Sequence, residues 1–182
     1  VRKIIYALGG ITLMMSVGCN GDFLKIDPAF AAPLVEKGAA ITTTLGLKAL
    51  VSDAEGYEKV KAVVKPVQEI IDTTVIPIIK GVDLADVTRA TADKALALLN
   101  EKIPPEIKGV IQLAVNGALA LLKMPDNPAT KLEPGQVEVI LALFRGIGTG
   151  ASAFIAWGGP GAKALGDIPV VLEITWAGGK GP

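Results

Sequence analysis

The sequence predicts an all-α fold: a compact bundle of about five helices, followed by a Gly- and Pro-rich C-terminal tail with one candidate β-strand. Three observations carry that reading. The 182-residue chain is 51% hydrophobic but only 4% aromatic, so its apolar content is mostly Ala, Leu, Val and Ile, which suits closely packed helices. Apolar residues recur at spacings of three, four and seven over most of 29–157. Clusters of Pro and Gly punctuate these stretches at intervals that suit short connections.

The first helical segment begins after residue 28. Phe30, Leu34, Ile41 and Leu45 fall near one face and form its expected buried stripe. The run Thr42 to Thr44, with Gly46, weakens the helix toward its end. Next comes "SDAE", Ser52 to Glu55, read as a capping box. Tyr57, Val60, Val64, Val67, Ile71 and Ile78 then make the cleanest apolar stripe in the chain. Pro66 predicts a kink or break, and Pro77 to Gly81 the end. Lys59, Lys61 and Lys65 read first as a solvated face and second as a lipid-headgroup contact.

Asp83 is the expected N-cap of a third helix, with Asp86 in its first turn and Leu84, Val87, Ala95, Leu98 and Leu99 inward. Pro104 and Pro105 close that helix and open a fourth. Residues 109–122 are apolar nearly all round and predict a central buried helix, being too short to span a bilayer. Pro125 to Gln136 is a loop dense in turn formers. A fifth helix follows with Val137, Ile140, Leu141, Phe144, Ile147, Ala151 and Phe154 or Ile155 inward. In the tail, 158–182, Val170, Leu172, Ile174 and Trp176 alternate with other residues at strand period. A lone strand leaves backbone groups unpaired. The segment 168–176 pairs with a partner, lies along the bundle or stays disordered, and its four alternating residues are candidate oligomer contacts.

Composition excludes much chemistry. There is no histidine and one cysteine, so the usual hydrolytic triads, zinc sites and iron–sulfur clusters cannot be built within one chain. No enzyme, metal or cofactor is expected. Eighteen basic and eighteen acidic residues cancel, which argues against nucleic acid as a partner. "GIGTG", Gly146 to Gly150, lacks nucleotide-loop spacing and sits inside a helical pattern. Gly146 with Gly150, and Gly148 with Ser152, have the small-xxx-small spacing of close helix contact. That contact is expected inside the bundle, with a membrane or a second subunit as the alternative. The aspartates at 83, 86 and 126 carry no calcium-loop spacing.

The N-terminus carries the most specific signal. Val1 fits a GTG start codon translated literally. Arg2 and Lys3 precede an uncharged apolar run, Ile4 to Val17, of about 14 residues, short of the ~20 that span a bilayer. Gly18, Cys19 and Asn20 follow. Charge, short apolar core and small residues describe a secretory signal. Ser16, Val17, Gly18 and Cys19 resemble the lipobox of bacterial lipoproteins, with Ser16 where leucine is usual. The resemblance implies signal-peptidase recognition at Ser16, Val17 and Gly18, a cut before Cys19, and lipid (palmitate among its acyl chains) on the Cys19 thiol. Asn20 mildly favours the outer membrane. The alternative is an ordinary signal cut near Ala29 to Ala31, with Cys19 incidental. The expected layout is a signal peptide at 1–18, a tether at 19–28, a helical bundle at 29–157 and the tail.

The mature part also resembles small helical lipoproteins of phages and prophages. The matching pieces are Asp27-Pro28, Ser52-Asp53, Ile103-Pro104 and "LEPGQ", Leu132 to Gln136. That resemblance implies a helical build and a viral setting, with no activity to carry over. Two functions are expected. One is a non-enzymatic, lipid-anchored interaction or structural protein of the envelope or virion, with a protein partner or a second copy at its tail. The other is a membrane-perturbing, holin-like or pore-forming protein using 109–122 and 146–157.

Overall fold

A computed structural model describes residues 28–120, 122 and 124–162. Among them the fold is all-α, with five helices and no strand beyond an isolated bridge between Thr88 and Lys131. Helix α1 is Pro28–Ala49. Helix α2 runs Ala54–Ile70, continues through a π turn at Ile71–Val75 and ends with an α turn at Ile76–Lys80. A 3₁₀ turn at Leu84–Asp86 leads to α3, Arg89–Lys102, then α4, Pro105–Leu119, and α5, Pro134–Trp157.

The centre is α5, which corrects the expectation for 109–122. Val137, Val139 to Phe144, Gly146 to Gly148, Gly150, Ala151 and Phe154 are all buried. Both residues left open at the sequence level differ slightly, since Phe154 is enclosed and Ile155 is half-buried. Helix α4 instead buries one face, Ile107, Ile111, Ala114 and Ala118, and exposes Gln112, Leu113 and Asn116. Its two amides do not face the core; Gln112 donates to Asn100 at 3.1 Å. Placing these polar groups in water avoids an unpaired buried amide.

Local chemistry sets the helix ends. Asp53, not Ser52, caps α2: its carboxylate accepts from the Gly56 N–H at 2.7 Å, and the Ser52 hydroxyl donates to it at 3.2 Å. Those bonds, the Gly56 one foremost, hold the Asp53 carboxyl below its ordinary pKa. Glu55 is free of the expected box and pairs with Lys59 at 2.7 Å. Thr88 caps α3, whereas Asp83 caps only the 3₁₀ turn ahead of it. Leu84 is therefore exposed, and Ala92 takes the inward place beside Ala95 and Leu99. A capping box does occur at α5, where Glu133 and Gln136 bond each other's backbone around Pro134. The loop before it is clamped to the start of α3: Leu132 N–H donates to Val87, and Arg89 and Ala90 donate to Thr130 and Pro128.

Helix α2 does not break at Pro66. Pro66 and Ala62 are both exposed, so the displaced backbone group opens to water. The irregularity comes later, at the π turn. Pro77 has no N–H for Thr73 and its ring crowds that carbonyl; Thr73 lies inside the widened turn. A π turn has more residues per turn than an α turn, so the inward positions become Ile71, Val75 and Ile79. Ile78, expected inward, is only half-buried.

Candidate interaction surface

Two parallel helices dominate the molecule. Gly146 packs on the Glu36 carbonyl and Ala39, and Gly150 lies where a Cβ would stand 2.6 Å from both the Ala40 carbonyl and the Thr43 Cβ. Residue numbers rise together on both partners, so α1 and α5 run the same way. The glycine spacing thus serves contact inside the bundle. Gly148 and Ser152 face the other side, toward α2, where the Ser152 hydroxyl donates to Gln68 at 2.8 Å. Across the α1–α5 seam the Thr44 hydroxyl bonds Ala40 and Gly150 carbonyls. Thr43 beside it is fully buried and its hydroxyl has no hydrogen-bond partner.

This seam decides which side of α1 is inward, and it overturns the expected stripe. Val35, Ala39, Thr43 and Leu47 are buried. Leu34 and Ile41 are half-buried, and Leu45 is 43% exposed. The Phe30 side chain lies outside the described ones. The physical reason is close approach: opposite Gly146 and Gly150, α1 sets Ala39 and Thr43, with Val35 and Leu47 buried on the same face, which leaves Leu34, Ile41 and Leu45 on the outer side. Leu34, Ile41 and Leu45 share a sector of about 40° at 100° per residue. Lys37 and Lys48 flank it on one side, Gly38 and Ala49 on the other. Neither lysine has a carboxylate at ion-pair distance among the described residues. The helix's single acid, Glu36, points elsewhere, to Arg145 at 3.2 Å. Helix α4 adjoins, with Val110 against Gly46 and Leu113 47% exposed one turn on.

At the other edge of α1 a shallow groove of about 360 Å³ is lined by Ala32, Pro33, Glu36, Lys37, Glu138 and Arg145. Arg145 reaches Glu36 at 3.2 Å and Glu138 at 3.8 Å. Two carboxylates neutralise the guanidinium, and nothing there forms an acid–base pair or a nucleophile with its base. The far end of the bundle is aromatic. Tyr57, Phe154 and Trp157 have ring centroids 5.4 to 6.0 Å apart, the Tyr57 hydroxyl donates to Ile155 at 2.7 Å, and the Lys48 ammonium lies 4.8 Å over Trp157. Gly158 and Gly159, at φ 76 and 92, turn the chain back over Tyr57, where a Cβ would meet the ring.

The other sequence-level candidates separate. Cys19 with Ser16, Val17 and Gly18, and the tail positions Val170, Leu172, Ile174 and Trp176, lie outside the described residues. Asp86 pairs with Lys131 at 2.6 Å, which raises the Lys131 pKa, while Asp126 sits exposed in the loop. The headgroup-facing role considered for α2 weakens: Lys59 and Lys61 are taken up by Glu55 and Glu58. Among the described residues no group of three or more His, Cys, Asp or Glu stands where it could hold a metal ion. The signal that sequence periodicity missed was Lys37 and Lys48 along one side of the stripe; a charged flank marks an outer face. Compared with known protein families, curated proteins and solved structures, the chain finds no match.

Proposed function

We propose that this chain is a non-enzymatic, lipid-anchored protein of the bacterial envelope, acting by contact through its helical domain. The carrying observation is Ser16 to Cys19, set after a basic start and a short uncharged apolar run. The lipid on Cys19 would insert in the membrane, the outer one by the mild preference of Asn20. Cys19 to Asp27, at most ~3.6 Å per residue, tethers it to the start of α1, so the folded domain stays within a few tens of ångströms of the bilayer. More than one acyl chain makes such attachment stable. The resemblance to phage and prophage lipoproteins adds a virion-associated or prophage-encoded setting. Metabolic labelling with a fatty acid is expected to mark the wild type and not Cys19→Ala. An unlabelled wild type would sink the reading.

A membrane-perturbing action is the second reading, and α5 favours it. By length and composition α5 is able to cross a membrane, although 67% of its most apolar window is buried in the bundle. Insertion of 146–157 would have to part the glycine seam, and 109–122 contributes exposed Gln112 and Asn116. Dye-loaded liposomes test it: this reading predicts release on adding the protein, and retention of the dye counts against it.

A further inference from the structure

We propose that the chain donates 168–176 as a strand to the exposed edge of a β-sheet in a partner protein, at the end of the bundle away from the lipid. The proposal rests on the lipid-anchored reading only for which end is tethered.

The parallel seam fixes the two ends. Near the start of α1, Glu36 meets Arg145 at 3.2 Å. Further along, the Thr44 hydroxyl donates to the Gly150 carbonyl at 3.1 Å. At its finish the Lys48 ammonium lies 4.8 Å over Trp157. The chain therefore enters at one end, at Pro28, and leaves α5 at the other, after Trp157. The 22 residues of α1 set these ends about 33 Å apart at 1.5 Å per residue. The exit is held in place. Gly159 is buried against the Tyr57 ring, where a Cβ would stand 2.9 Å away, and the Ala162 N–H donates back to its carbonyl at 3.3 Å. Whatever follows Ala162 starts at the pole opposite the tether.

The sequence pattern selects the partner. Val170, Leu172, Ile174 and Trp176 alternate with Val171, Glu173 and Thr175, and the segment's one proline, Pro169, precedes the alternation. An extended segment buried in a contact must pair its backbone groups. Among the described residues the bundle offers no sheet edge, only the isolated bridge of Thr88 with Lys131. A second copy brings one more strand and no sheet, and a two-stranded ribbon is marginal in water. A preformed sheet supplies both needs: main-chain partners along its edge and an apolar face for alternate side chains.

The test uses the full chain in its native cells, with a photocrosslinking residue at Leu172 or, as control, at the exposed Pro33 near the start of α1. The expected result is a product with a different protein from 172 and not from 33. Proline is then placed singly: Val170→Pro, Val171→Pro, Glu173→Pro and Ile174→Pro. An edge strand tolerates proline only where the N–H faces away from its neighbour. The product should therefore vanish for 170 and 174 or for 171 and 173, and survive for the other pair. Alanine at the same positions separates loss of the N–H from loss of the side chain. No product at 172 overturns the proposal, and so does a product of two copies of this chain. Four prolines tolerated alike, or four alike disruptive, overturn edge pairing. The same product from 33 overturns presentation at the far end. Fatty-acid labelling in the same cells reports the anchor separately: a 172 product with Cys19 unlabelled keeps the donated strand and discards the lipid.

Discussion

Leu47→Ala is expected to cost about 2–5 kcal/mol of folding stability, while Leu45→Ala, two residues away, stays within about 0.5 kcal/mol. Both are leucines of one helix, and simple hydrophobicity ranks them alike. Leu47 is 0% exposed and belongs to the core with Val35 and Ala39. Truncation leaves a cavity that close-packed neighbours fill only in part. Leu45 is 43% exposed, so its removal takes little surface back to water. Denaturant unfolding with an unchanged m-value measures both. A larger loss at 45 than at 47 would mean that the bulky stripe faces inward.

Gly150→Ala and Gly146→Ala are each expected to destabilise by about 1–3 kcal/mol, against the usual sign of that change in a helix. A methyl at 150 meets the Ala40 carbonyl at 2.6 Å and one at 146 meets the Glu36 carbonyl and, at 2.8 Å, the Ala39 Cβ. Backbone cannot rotate aside as a long side chain can, so the two helices must separate. Separation costs dispersion contacts along the whole seam. Gly38→Ala and Gly109→Ala supply the contrast, because a Cβ at either meets nothing within 4 Å. These two are expected to stabilise by about 0.5–1 kcal/mol through helix propensity. Thermal unfolding of the four variants reads the pattern, two down and two up. Four changes of one sign would refute the seam.

Helix number and most helix ends were legible because they depend on neighbours in sequence; the start of α3 was not, since Thr88 and not Asp83 caps it. Pro104-Pro105, the Leu132–Gln136 step and the long apolar run of the fifth helix mark their own boundaries. Facing was less legible. In α1 two apolar stripes share one helix, and periodicity finds both without ranking them. The ranking comes from Gly146 and Gly150, about a hundred residues away. Close approach at Ala39 and Thr43 was the deciding property, and a hydrophobicity count does not register it. The Ile78 error has a different origin: the π turn changes the period itself, and Pro77 was read as a terminator only. Asp53 against Ser52 was a choice between adjacent side chains that both cap well. The candidate lipid site was legible as a motif, since its chemistry depends on a short contiguous run.

The parallel pairing of α1 with α5 also sets an order of events. Its bonds join residues 106 and 109 positions apart, Thr44 with Gly150 and Glu36 with Arg145. Contacts of such long range slow folding, because most of the chain must be gathered before they form. Among the described helices the first made is thus the last to be enclosed. During synthesis its inward face lacks α5 until that helix is made, and the contact of Gly46 with Val110 on α4 is the earlier one open to it. A chain that crosses a membrane N-terminus first would carry α1 through unpartnered, ready for transport and dependent on what holds it there until the seam shuts.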